Sequence, residues 1–244
     1  MVSSGDVGRE ILPDPEALAR RAAEFLVATC REAAREPRIC LAGGSTPKRL
    51  YEVLGSPAYA HRLPWARVHW FWGDERFVPP DHADSNYGMA REAMLEHLPV
   101  AGTRVHEIKT FDTTPEESAA NYERRLQTIY GGASLDPARP LFDLVLLGLG
   151  GDGHIASLFP GSAALDERAR WATAVVGVKP EPRITLTYPT LESTRHVAFL
   201  VAGADKHAVL QRLERREDLP AARLRPVGAV HWFLDRAAAD GVDP

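Results

Sequence analysis

The chain has 244 residues, 45% of them apolar and 25% charged, with a net charge of −4. That length supports one large α/β domain with a full core, or two small ones, and the lack of any Pro/Gly/Ser-rich linker favours a single domain over 1–244. The acidic balance argues against a general nucleic-acid surface, and no window approaches the length of a membrane span.

Residues 1–13 carry no strong structural signal and are expected to form a poorly ordered extension. Met1 to Glu10 also lack an apolar core of signal-peptide length. Only two cysteines occur, Cys30 and Cys40, and both read as small buried apolar residues rather than a disulfide. These features point to a reducing, cytoplasmic setting.

Asp14-Pro15 then opens a helix, with aspartate as cap and proline in the first helical position. Leu18, Ala22, Phe25, Leu26 and Thr29 follow at helical spacing, and Pro37 closes the element. Ile39 to Ala42 reads as a short strand that breaks at Gly43-Gly44, after which Thr46-Pro47 opens a second helix to about Leu54. Val68 to Trp72 is the next strand, ending at Gly73-Asp74-Glu75-Arg76. Ser85 can cap a helix carrying Met94, Leu95 and Leu98, and Thr114-Pro115-Glu116-Glu117 fits a capping box.

Phe142 to Gly148 is a continuous apolar run of the kind buried on both sheet faces. Further strands are expected at Ala172–Val178, Arg183–Thr187, His196–Val201 and Val230–Leu234, with a helix from about Asp205. Strands alternating with helices indicate an α/β fold, a Rossmann-like, mostly parallel sheet with helices on both faces.

Four segments carry chemistry. Gly43-Gly44-Ser45-Thr46-Pro47 joins a strand to a helix start, where glycines allow close approach and free N–H groups favour an anion. The same residues also fit a tight turn with Thr46 as an ordinary cap. Asp74-Glu75-Arg76 follows another strand; Arg76 could grip phosphate or carboxylate oxygens, and the alternative is a solvated charged loop.

Gly148-Leu149-Gly150-Gly151-Asp152-Gly153-His154 places a histidine at a strand end, where open α/β sheets bind ligands. His154 reads as an acid–base catalyst, the alternative being a capping or core histidine. The run matches G-x-G-x-x-G but comes too late in the chain, with no ribose-binding acid, so a nicotinamide site is rejected. In Lys179-Pro180-Glu181-Pro182-Arg183, prolines stiffen a loop that delivers Arg183 as a second anion clamp or as a plain surface arginine. The remaining histidines show no paired ligand spacing, and the two cysteines do not join them into a zinc signature, so no metal site is expected.

Together these segments resemble the 6-phosphogluconolactonase family. The matching pieces are Leu41 to Pro47, Trp72 to Arg76 with Ser85-Asn86-Tyr87, Gly148 to Pro160, Arg183 to Thr187, and Trp232 to Asp235. The resemblance implies a fold shared with glucosamine-6-phosphate deaminases and ribose-5-phosphate isomerases. It implies hydrolysis of a phosphosugar lactone, 6-phospho-D-glucono-1,5-lactone, without cofactor. His154 would be the general base, assisted by Asp152 or Asp74. Gly43, Gly44, Ser45, Thr46, Arg76 and Arg183 would hold the phosphate. A monomer or small homo-oligomer, binding no nucleic acid or membrane, is expected.

Two alternatives remain. Gly-Asp-Gly-His-Ile-Ala is close to the deaminase form of the motif, and Ile155 stands where the lactonases more often have threonine. The deaminases then carry an Asn-Glu pair, whereas here Ser157-Leu158-Phe159-Pro160 offers no carboxylate. A non-catalytic sugar-phosphate sensor on this fold would carry a DNA-binding segment, and no basic region precedes residue 38.

Overall fold

A computed structural model describes residues 7–240. In chain order its elements are β1 (Val7–Leu12), α1 (Pro15–Glu32), β2 (Arg38–Leu41), α2 (Ser45–Leu54), β3 (His69–Trp72) and β4 (Asp74–Arg76). Next come α3 (Asn86–Ala93), β5 (Val105–His106), α4 (Pro115–Tyr130), β6 (Phe142–Leu147), β7 (Ala172–Val175) and β8 (Arg183–Leu186). The chain closes with α5 (Tyr188–Glu192), β9 (Thr194–Val201), α6 (His207–Glu214), α7 (Pro220–Arg223), β10 (Ala229–Asp235) and α8 (Arg236–Ala239).

Seven strands form one sheet in the order β1-β10-β9-β6-β2-β3-β5, and every pairing in it is parallel. β6 lies at its centre with all six residues buried, as a doubly covered strand requires. From β2 the chain winds outward to β3, and from β6 it winds the other way to β9. Right-handed crossovers therefore put α2 and α3 on one face and α4 and α6 on the other. The strand order reverses between β2 and β6, so the crevice beyond their carboxyl ends is the natural ligand site.

Local signals hold where they were strongest. Asp14 caps α1 through Ala17 N–H, Ser85 caps α3 through Gly88 N–H, and Thr114 with Glu117 completes the capping box of α4. Cys30 and Cys40 are buried and free.

Four expectations need correction. Residues 7–12 form an ordered strand in register with β10, Val7 opposite Val230 through Leu12 opposite Asp235; residues 1–6 lie outside the described residues. Asp74-Glu75-Arg76 is no loop: it pairs antiparallel with β8, which pairs with β7, making a second, three-stranded sheet. The β7 strand ends at Val175, three residues earlier than expected, because Gly177 takes a positive φ of 79°. Thr46 does not cap α2; Gly44 holds that position, with no side-chain cap bond.

Candidate active site

A cleft of about 350 Å³ opens at the predicted switch point. Its walls come from the turn after β2, from β4, from the turn after β6, from the start of β8 and from the turn after β9. Every site residue picked out in the sequence except Asp152 lines it, and Asp152 touches it through His154.

The first wall is the N-terminus of α2. Gly44 adopts φ 103°, a value costly for any residue with a Cβ. The turn it permits sends the chain directly into helix at Ser45. Neither the Ser45 nor the Thr46 hydroxyl makes a hydrogen bond among the described residues, and the first-turn N–H groups have no intrahelical partner. A helix end of this kind, with its dipole, suits a phosphate monoester.

The second wall is β4 and β8. Antiparallel pairing sets Arg76 directly opposite Arg183. Arg76 Nη1 donates to the Asp84 carbonyl at 2.7 Å, while the buried Arg183 Nε has no partner. Burial, and then the neighbouring Arg76 guanidinium, pull the Arg183 pKa down. Two adjacent cations with a buried unpaired donor are poised to gain from a shared anion.

Glu75 points the other way, almost fully buried, and accepts N–H bonds from Arg76, Asn86 and Tyr87 at 2.7–2.8 Å. It thereby ties the start of α3 to β4. Burial pushes its pKa up to about 7 against those three bonds, which draw it down.

The third wall is the glycine turn after β6. Gly150 N–H donates to the His154 carbonyl at 3.0 Å, closing the turn on itself. Within it His154 Nδ1 lies 2.5 Å from Asp152 Oδ1, which also accepts the His154 backbone N–H at 3.1 Å. Burial raises the Asp152 pKa, but the bonds from His154 outweigh it and leave the carboxyl below its ordinary value. The ring rests on Phe159 at 4.6 Å between centroids, and Lys179 Nζ sits 5.1 Å from the same phenyl ring.

Of the two carboxylates expected to assist the histidine, only Asp152 is bonded to it. Asp74 instead accepts from Ser157 Oγ at 2.6 Å and from Asn86 Nδ2 at 3.3 Å. Asn86 was not picked out as a site residue, because Ser85-Asn86-Tyr87 registered as a helix start and a matching family segment without a chemical role. Lys206 escaped as well. It enters the cleft from the turn after β9, paired with Asp205 at 3.1 Å, and no local motif marks it.

The family model described as "Glucosamine-6-phosphate isomerases/6-phosphogluconolactonase" matches residues 13–232. The chain belongs to this family. Within it, the chain is 43% identical over 238 residues to a 6-phosphogluconolactonase of Nostoc sp. (strain PCC 7120 / SAG 25.82 / UTEX 2576), covering 94% of this chain and 95% of the relative. Among solved structures, a 6-phosphogluconolactonase from Trypanosoma cruzi superposes with a TM-score of 0.84 at 31% identity, covering 99% and 98% of the two chains. A monomeric glucosamine-6-phosphate deaminase superposes with a TM-score of 0.80 over 96% and 99% of the chains. Its identity is 21%, so that likeness concerns the fold alone. Where the deaminase motif goes on to its Asn-Glu pair, this family member has Ser157-Leu158-Phe159-Pro160, which offers no carboxylate.

Proposed function

We propose that this protein hydrolyses 6-phospho-D-glucono-1,5-lactone to 6-phospho-D-gluconate. The observation that carries the reading is one cleft that combines an anion-binding helix end, the Arg76–Arg183 pair and a histidine anchored through Nδ1. The identity to lactonases over nearly the whole chain supports the same substrate.

A δ-lactone is already electrophilic, so catalysis needs a positioned water and a base more than a covalent nucleophile. With Nδ1–H donated to Asp152, the His154 lone pair lies on Nε2. That nitrogen takes a proton from water as the water oxygen bonds to the lactone carbonyl carbon. The tetrahedral intermediate collapses with cleavage of the bond between that carbon and the ring oxygen, and the imidazolium returns its proton to the departing oxygen. Phosphate held by Ser45, Thr46, the α2 N–H groups, Arg76 and Arg183 supplies binding energy remote from the reacting carbon.

Free buried cysteines fit a reducing, cytoplasmic compartment, and no described helix is long and apolar enough to cross a membrane. The test is lactone hydrolysis against the spontaneous background. Acceleration by wild type that is lost in His154→Ala is the expected result, and no acceleration by wild type rejects the reading.

A further inference from the structure

Two buried tyrosines, one from each face of the sheet, make the same contact at neighbouring strand ends. Tyr51 of α2 accepts the Ala42 N–H at 2.9 Å and donates to the Ala42 carbonyl at 2.7 Å. Tyr122 of α4 accepts the Trp72 N–H at 2.9 Å and donates to the Trp72 carbonyl at 3.0 Å. Both rings are almost wholly buried, and burial pushes both phenols up in pKa, so each hydroxyl keeps the proton it donates.

Their location is the informative part. The β2–β6 ladder ends at Cys40 and Val145, and the β3–β5 ladder ends at Phe71 and His106. Beyond the first pair β2 and β6 part to open the cleft, and past these two ladder ends the peptide groups of Ala42 and Trp72 bond a tyrosine hydroxyl in place of a neighbouring strand. Each clamped residue immediately precedes an anion-binding segment, Ala42 before Gly43–Thr46 and Trp72 before Gly73–Arg76. Tyr51 belongs to the helix whose first turn is the anion site, so its bond to Ala42 joins the two ends of that turn.

We propose that Tyr51 and Tyr122 are positioning residues for the substrate phosphate. Their hydroxyls fix the separation between the α2 N-terminus and the Arg76–Arg183 pair, so the cleft is set to phosphate dimensions before ligand arrives. The proposal rests on the lactonase reading for its substrate but not for its anion.

The test compares Tyr51→Phe and Tyr122→Phe with Tyr130→Phe. Tyr130 is also buried and accepts a backbone N–H, from Asp136 at 2.8 Å, but lies outside the cleft. Calorimetry with inorganic phosphate should show affinity lowered roughly three- to tenfold in the first two variants and unchanged in the third. KM for the phospholactone should rise by the same factor with kcat little altered, while hydrolysis of the unphosphorylated 1,5-lactone should be unaffected.

Equal phosphate affinity in all four proteins overturns the proposal, even if the first two variants lose stability. Phosphate binding that depends on the tyrosines, in a protein that fails to hydrolyse lactone, rejects the activity and keeps the clamps. Should Phe prevent folding, amide exchange in wild type decides. The Ala42 and Trp72 amides must be protected before phosphate is added, and fast exchange there overturns the proposal.

Discussion

His154 Nδ1 and Asp152 Oδ1 lie 2.5 Å apart within a single glycine turn, two residues from each other in sequence. A base and its orienting carboxylate more often come from separate elements, held together by the whole fold. Here the turn supplies both, and the tautomer that exposes Nε2 is set locally. The histidine's orientation therefore depends on the turn's own backbone, which is anchored by the Ala221 N–H bond to the Gly153 carbonyl and by Phe159 under the ring.

Removing the base should show directly in kcat. His154→Ala is expected to lower kcat by ~10²–10⁴-fold, the usual contribution of general-base help, with KM little changed. Asp152→Asn keeps the size and one acceptor but no longer enforces the tautomer, so its loss should be smaller and again confined to kcat. Steady-state rates corrected for spontaneous hydrolysis check both. A rise in KM with kcat intact would place the pair in binding instead.

The two arginines should behave in the opposite way. Arg183→Ala removes the buried Nε without a partner, and Arg76→Ala removes its neighbour across the β4–β8 ladder. Each should raise KM by about 10-fold to 100-fold, the range expected for a charge-assisted contact of ~1.5–3 kcal/mol, with kcat largely retained. Arg183→Lys should recover only part of the loss, because a single ammonium cannot reproduce the planar fork. A fall in kcat alone would remove the two arginines from phosphate binding.

Gly150 gives a steric test of the histidine turn. A Cβ there would stand 2.0 Å from His154 Nδ1 and 2.8 Å from Asp152 Oδ1, closer than any real contact. Gly150→Ala must displace the imidazole or the carboxylate, since the turn itself is held by the Gly150 bond to the His154 carbonyl. The expected result is a folded protein with near-wild-type phosphate affinity and kcat lowered by at least ~10-fold. Full activity in this variant would mean that the observed His154–Asp152 geometry is not the working one.

Much of this site is visible in the sequence because each wall is a short contiguous segment at a strand end. Gly43–Thr46 and Gly148–His154 announce themselves by glycines between an apolar run and a polar group, and the structure puts both beside the switch point. What escaped depends on partners distant in sequence. Asp74-Glu75-Arg76 has no strand propensity, and becomes β4 only because Arg183 to Thr185 lie alongside. β1 holds Gly8, Arg9 and Glu10, a poor strand pattern; its edge is instead secured by Arg9 to Glu214 and Arg21 to Glu10. Lys206 stands alone in its segment, and only the order of β9 in the sheet brings it to the cleft.

A histidine pair away from the cleft, His69 and His106, makes one contribution to acid stability. Arg125 Nε donates to His106 Nδ1 at 3.2 Å, so His106 carries its proton on Nε2, 2.8 Å from His69 Nδ1. His69 Nε2 in turn lies 3.1 Å from Glu36. Burial, then the Arg125 charge, draws the His106 pKa down to about 3, and burial lowers that of His69 as well. Between about pH 3 and the unfolded value near 6.5, position 106 binds more protons in the unfolded chain than in the folded one. The contribution of these histidines is therefore full above pH 6.5 and falls as pH drops, by up to ~1.4 kcal/mol per pH unit for each such group. Glu75 has the opposite sign, its raised pKa adding stability as pH falls from about 7, but it acts equally in any variant at position 106. His106→Gln should thus be less stable than wild type at pH 7.5 through its lost hydrogen bonds, and should lose less on going to pH 4.5. Urea unfolding at both pH values measures the difference. Parallel losses in the two proteins would show that His106 titrates as an ordinary exposed histidine.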